Sequence, residues 1–329
     1  MIRRLVSENT EVLVDTLGAS LAGVRIPDRN GAPTEVLLSP DNRTRGGEDP
    51  SYSGRTVAPC CGRIRDAEIN ILGKTFRLSE NEGKNHIHGG FGSAALSRWE
   101  TVSAGPRQAC FRLSLPDGLD GYPGNRTLEA LYTAGPGSVS VRYSAVSDRP
   151  TWFDCTNHAY WDLGGRFDGS ALDQTLEICS DTAVMNGKDH LPVRIEAAGG
   201  AMDFRSPARI SDKLTAFSGD EQLNTGNGYN NAFILKKDSP YAARLFSPVT
   251  GIRMTVYTDQ PSLVFYSGGF LKGSVTVGDR DVPDGAAVAL EAQAVPDCGH
   301  LENAGSCLLM PGEIWTRSIR FEFATGADG

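Results

Sequence analysis

Five histidines are spread over 329 residues, at positions 86, 88, 158, 190 and 300. Three of them stand in segments that read as neither ordinary strand nor turn. Asn85-His86-Ile87-His88-Gly89-Gly90 sets two imidazoles beside a flexible glycine pair, and Asn157-His158-Ala159-Tyr160-Trp161 packs an amide, an imidazole and two aromatic rings into a short run. Such a mixture suits a sugar, whose hydroxyls need hydrogen bonds and whose C–H face needs an aromatic platform. A hydrogen-bonded structural histidine is the plain alternative for each. His86 and His88 lie two residues apart on an extended chain, so they project to opposite sides and do not share a metal ion. No third ligand lies nearby, and no metal site is read. Two charges complete the set. Glu291 ends the apolar run that begins at Ala286, and Arg63 follows the apolar stretch Thr56 to Cys61. A carboxylate in such surroundings is costly to bury, so it is paired or functional. Either charge also fits half of a structural salt bridge.

The elements that must position these groups are strands. Val139, Val141, Tyr143 and Ala145 alternate with Ser138, Ser140, Arg142 and Ser144. The same period of two runs through Phe111–Leu115, Ile252–Tyr257 and Ile319–Phe323, as a strand with one buried face requires. Turn clusters such as Pro116-Asp117-Gly118, Gly135-Pro136-Gly137 and Pro283-Asp284-Gly285 separate the strands. Helical periodicity is weak, and Pro207 to Phe217 reads as one short helix. No repeat, linker or charge run marks a boundary between Val12 and Phe323. The reading is an all-β fold, one large antiparallel β-sandwich, in a single domain over residues 1–329.

Composition bounds the function. With 40 % apolar and 22 % charged residues the chain can build a large core and is not a disordered sequence. A net charge of −8 gives no general pull toward nucleic acid or anionic lipid. No apolar run approaches the ~20 residues of a membrane span. Glu8, Glu11 and Asp15 interrupt the start, so no secretory signal is readable. Seven cysteines without a CxxC pair speak against a zinc cage and for reduced, buried thiols, hence a cytoplasmic protein. The vicinal pair Cys60-Cys61 lies just before Arg63 and is expected to pack under any pocket there.

Taken in order, these segments resemble the aldose 1-epimerase (galactose mutarotase) family over nearly the full length. The resemblance is carried by Thr16-Leu17-Gly18-Ala19, Tyr52-Ser53-Gly54, Gly62-Arg63-Ile64, His88-Gly89-Gly90, Thr156-Asn157-His158-Ala159-Tyr160-Trp161-Asp162-Leu163-Gly164-Gly165, Asp203-Phe204-Arg205, Thr258-Asp259-Gln260-Pro261, Leu290-Glu291-Ala292-Gln293 with Pro296-Asp297, and Pro311-Gly312-Glu313. Each motif alone is weak; together, in order and spacing, they are specific. The resemblance implies a galactose mutarotase-like supersandwich and mutarotation of a free aldohexose such as glucose or galactose, with no cofactor. It implies His158 as general acid on the ring oxygen and Glu291 as general base on the anomeric hydroxyl, each transfer contributing roughly 10²–10⁴-fold. Arg63 and His88 would hold the substrate and stabilise charge near the reacting oxygens. Asn157, Tyr160 and Gln260 would line the sugar pocket. The acidic limb of the pH–rate profile would then belong to Glu291 and the alkaline limb to His158. The implied partner is a small sugar, not nucleic acid or membrane, for a monomer or homodimer.

Three positions depart from the family pattern. Asn230, in Gly228-Tyr229-Asn230-Asn231-Ala232-Phe233, stands where the family has an aspartate. Gly62 replaces an asparagine before the arginine, removing a polar contact. Trp161 replaces a phenylalanine and would enlarge the aromatic wall. Two other readings share the fold: an epimerase of hexose phosphates, which would want two convergent cations with Arg55 or Arg65 beside Arg63, and a catalytically silent carbohydrate-binding module, which would lack His158 or Glu291. The departure at Asn230 gives a test. A neutral amide accepts from a hydroxyl less strongly than a carboxylate, by about 1 kcal/mol. Asn230→Asp is therefore expected to lower the Michaelis constant for plain hexoses some fivefold, by that same increment. Unchanged or worse steady-state kinetics on every plain hexose would point instead to a sugar carrying a different polar group.

Overall fold

Alternation becomes register in the computed structural model, which describes residues 1–39, 51–277 and 280–326. Among these residues nine strands form one antiparallel sheet, in the spatial order Glu100–Ala104, Gln108–Leu115, Arg126–Gly135, Ser138–Ser147, Trp315–Thr325, Ile252–Thr258, Ala243–Phe246, Thr175–Ile178 and Ala208–Arg209. The expected inward faces are the buried ones: Val139, Val141, Tyr143, Ala145, Ile319, Phe321 and Phe323 all leave solvent. A sheet of six strands runs Tyr160–Trp161, Val288–Gln293, Ser262–Tyr266, Asn230–Leu235, Ser180–Asn186 and Pro192–Ala197. A third sheet of four, Ile2–Ser7 to Pro33–Glu35, joins the edge of the same core. The short helix expected between Pro207 and Phe217 spans Ile210–Ala216. A second, Glu221–Gly226, starts where the Asp220 side chain accepts from the N–H groups of Gln222 and Leu223.

The central strands of the six-stranded sheet, Val288–Gln293 and Ser262–Tyr266, are buried on both faces, and the two faces do different work. Val288, Leu290 and Ala292 project into the main core, as do Leu263, Phe265 and Phe233 from neighbouring strands. Alternate residues Glu291, Gln293, Val264, Tyr266, Asn230 and Ala232 line a cavity on the other side. This explains why all of Val288–Gln293 is buried although the run contains a carboxylate and an amide. It also corrects the reading of Trp161. Tyr160 faces the cavity, but its neighbour points the opposite way, into the core, with ring centroids 4.7 Å from Phe321 and 5.7 Å from Phe323. The larger ring thickens the seam between the two sheets rather than the wall of the pocket.

Gly54 ties the strand ahead of the cavity to the segment bearing His158. Its N–H donates to the His158 carbonyl at 2.8 Å, while its own carbonyl accepts from Leu21 N–H and from the Asn157 side chain, each at 2.8 Å. Its φ is +67°, and a Cβ there would sit 1.8 Å from the Leu21 carbonyl oxygen. Gly54→Ala is expected to cost more than about 2 kcal/mol of folding stability. Denaturant unfolding of parent and variant checks this; equal midpoints would contradict it.

Candidate active site

Several chain segments converge on the cavity, which holds about 340 Å³, within the usual range of small-molecule sites. The floor is set by strand register. Tyr160 pairs with Ala289, Ala289 with Tyr266, and Tyr266 with Asn230, making one row; Glu291, Val264 and Ala232 make the next. Above this floor, His158 follows the short strand Thr156–Asn157, which pairs with Thr56–Val57. Its N–H donates to the Arg55 carbonyl at 2.9 Å. Arg63 and Ile64 pair with Ile87 and His86, which brings His88 alongside Arg63 at the rim.

The two titratable groups at the centre are buried. His158 Nε2 lies 3.6 Å from Glu291 Oε2. Among the described residues no arginine or lysine lies within salt-bridge distance of that carboxyl. Loss of water therefore acts alone on Glu291 and lifts its pKa to about 8. The same burial, helped by the nearby His88, drives His158 down to about 3. His88 has a positive φ of 53° and its Nδ1 meets the Cys61 carbonyl, so the Nδ1 proton is held there; burial lowers this imidazole to about 4. The rings of His88 and His158 meet edge to face at 5.5 Å, and His158 lies over Tyr160 at 5.0 Å. At neutral pH these shifts favour a protonated carboxyl on Glu291 beside a neutral imidazole on His158. One protonated and one unprotonated group is what a reaction needing one acid and one base requires.

The whole chain points the same way. A family model described as aldose 1-epimerase matches residues 4–322. The chain belongs to the aldose 1-epimerase family. It is 31 % identical over 332 residues to the aldose 1-epimerase of Escherichia coli K12, covering 98 % of this chain and 95 % of that one. It is 28 % identical over 326 residues to the galactose mutarotase of Bos taurus, covering 98 % and 93 %. A galactose 1-epimerase structure from Lactobacillus acidophilus superposes with a TM-score of 0.86 at 30 % identity, over 98 % of this chain and 94 % of that one. An aldose epimerase homologue from C. elegans shares the fold at a TM-score of 0.91 and 23 % identity, over 99 % of each chain. Members of this family are carbohydrate isomerases, and no helix among the described residues is long and apolar enough to cross a membrane.

Of the residues the family pattern pointed to, Gly62, Arg63, His88, His158, Tyr160, Asn230 and Glu291 line the cavity. Asn157 and Gln260 do not. Asn157 Nδ2 donates to the Gly54 carbonyl and to Tyr132 Oη at 3.1 Å, and Gln260 Nε2 donates to the Cys155 carbonyl at 2.9 Å. Both amides hold the backbone beneath the site: Asn157, next to His158, is turned the other way by alternation, and Gln260 stands in the bend between the strands Ile252–Thr258 and Ser262–Tyr266. His86 likewise faces inward, between the Ser79 carbonyl at 2.7 Å and Tyr122 Oη at 2.9 Å. Gly62 is more than a lost polar contact: a Cβ there would meet Pro296 Cβ at 2.7 Å. Cys61 lines the cavity and Cys60 packs behind it, both thiols pushed well up by burial.

Several lining residues had no signal in the chain. Glu82 and His190 come from loops, and Asn186 from the end of the strand Ser180–Asn186. Asn186 is set by the second helix: its N–H donates to Gln222 Oε1 at 2.7 Å, and its Nδ2 donates to the Asn230 carbonyl at 2.8 Å. Tyr52, with φ +54°, and the half-exposed Phe270 add aromatic surface at the rim.

The raised Glu291 couples to stability with a definite sign. Its native value of about 8 lies above the ordinary 4.5, so the native state holds an extra proton between the two. The stability this contributes is complete below 4.5 and is lost as pH rises through 8. Glu291→Gln keeps a neutral group in place and abolishes the loss. Its melting temperature relative to the parent is expected to climb from about pH 5 to about pH 8 and then level. A difference independent of pH would contradict a buried, protonated Glu291.

Proposed function

We propose that this chain interconverts the α and β anomers of a free aldohexose, glucose or galactose, by acid/base opening and reclosure of the ring. The observation that supports it best is the buried His158–Glu291 pair, 3.6 Å apart in a sugar-sized cavity. In the opening step Glu291 as carboxylate takes the anomeric proton while His158 as imidazolium donates to the ring oxygen. The C1–O5 bond breaks, and the C1–O1 bond becomes the aldehyde. The C1–C2 bond rotates, Glu291 returns its proton to O1 on the other face, and His158 takes back the hydroxyl proton from O5 as the ring closes. Protons and electrons balance without a cofactor. Arg63 and His88 orient the hydroxyls, and Tyr160 presents its ring to the sugar's C–H face. The names of the relatives, which include galactose mutarotases, favour galactose as the first sugar to try.

The phosphate reading loses its cations. Arg55 is buried with Nη1 donating toward the Ala95 carbonyl, and Arg65 donates to the Pro192 carbonyl. Neither lines the cavity. The silent-module reading has no support from a site that retains both His158 and Glu291.

The burial of the pair reverses the pH limbs expected from the family pattern. Loss of the single proton falls to Glu291 near 8, and gain of a second falls to His158 near 3. Polarimetry of freshly dissolved α-galactose should show kcat/KM declining above about pH 8, the alkaline limb belonging to Glu291. Glu291→Gln should lower kcat by about 10²-fold or more with galactose binding near that of the parent. A variant retaining more than half of the parent rate would remove Glu291 from the reaction.

A further inference from the structure

Arg63 meets Glu82 edge to edge. Nε donates to Glu82 Oε2 at 2.6 Å and Nη2 to Oε1 at 2.8 Å, the two-pronged geometry in which a guanidinium and a carboxylate fit best. Both side chains line the cavity, with 22 % and 38 % of their surface exposed, so the pair belongs to the site and not to the outer surface. A guanidinium has five N–H donors. Glu82 covers the Nε–Nη2 edge and leaves the Nη1 side to hydrogen-bond a ligand. Among the described lining residues Arg63 is the only arginine, and no lysine joins it. His190, beside this pair, is shifted toward the neutral form by burial and by Arg63. The cavity therefore offers directed donors without net positive charge.

That arrangement treats two classes of sugar differently. A neutral hydroxyl can use the remaining N–H groups of Arg63 and is indifferent to the carboxylate behind them. A carboxylate or phosphate on the sugar would want the edge that Glu82 occupies and would face a like charge across it. We propose that Glu82 is a specificity-determining residue, which neutralises Arg63 inside the cavity and so restricts the site to uncharged sugars. This rests on the function proposed above and adds to it the class of sugar that is refused.

The test compares galactose with two anionic sugars, glucuronate and glucose 6-phosphate, in the parent and in Glu82→Gln. The amide keeps the shape and an acceptor for Arg63 but drops the charge. The selectivity for an anionic sugar over galactose, read as a ratio of kcat/KM, is expected to rise about tenfold or more on at least one anion. A smaller change on both overturns the proposal, even where galactose turnover itself falls. The same ratio is read from calorimetric binding constants, so a parent that binds sugars without turning them over would count against the proposed function while leaving this test in force. Glu82→Asp, which keeps the charge, is expected to retain the parent's preference. In the parent, added salt should narrow the preference by screening the repulsion. A preference insensitive to salt and lost equally in the aspartate and glutamine variants would also overturn the proposal.

Discussion

The carboxyl of Glu291 is buried opposite an imidazole, and that single placement governs much of the surrounding structure. A carboxylate taken from water without a cation beside it is unstable, so the group holds its proton. Nothing local in Val288–Gln293 would put a carboxyl there by itself. The strand is apolar on the face toward the nine-stranded sheet, and only the alternation of a fully buried strand can turn Glu291 away from that core and toward a cavity. The stability required to hold an uncompensated acid comes from elsewhere: from the aromatic seam of Trp161, Phe321 and Phe323 and from the long ladders of the large sheet.

His158 depends on a different kind of support. It follows the two-residue strand Thr156–Asn157, which has little cohesion of its own. Its position comes from backbone hydrogen bonds on both sides, to Arg55 and from Gly54, and from the Asn157 amide anchored beneath it. The amide next to this imidazole is thus structural, and Gly54 ties its backbone in place. The site is a product of two sheets and one hinge of backbone, not of a single motif.

What could be read from the chain follows from these physics. Strands with one buried face show a period of two, and Val139–Ala145 and Ile319–Phe323 lie where that period puts them. The chemistry of His158, Glu291, Arg63 and His88 stood out because imidazoles and charges are rare in apolar runs. The facing of an individual side chain was harder. Asn157, Gln260 and Trp161 belong to the motifs that carry the resemblance, yet none of the three lines the cavity, since a residue beside a site can hold its backbone or its core as well as face it. Glu82 left no trace: a carboxylate in the polar run Glu80-Asn81-Glu82-Gly83 looks like any solvated turn until Arg63 closes on it from another strand.

The protonation of the empty pair also says where the proposed reaction begins. During ring opening the proton of the pair is on His158 beforehand and on Glu291 afterwards. Burial places it on Glu291 at rest, which is the state that accompanies the open-chain sugar, ready to close a ring. In the proposed reaction, binding a closed ring would therefore move the proton toward the imidazole. A sugar could do this, because hydroxyls that hydrogen-bond to a carboxylate favour its charged form. The cost of burying Glu291 is then partly offset only when a sugar is present, and the basicity needed to take the anomeric proton is retained until that moment. A counter-cation placed permanently beside Glu291 would make the site more stable and the base weaker. Arg63, the lining guanidinium, is instead paired with Glu82, and burial alone sets the high proton affinity of the carboxyl on which the proposed exchange of anomers would rest.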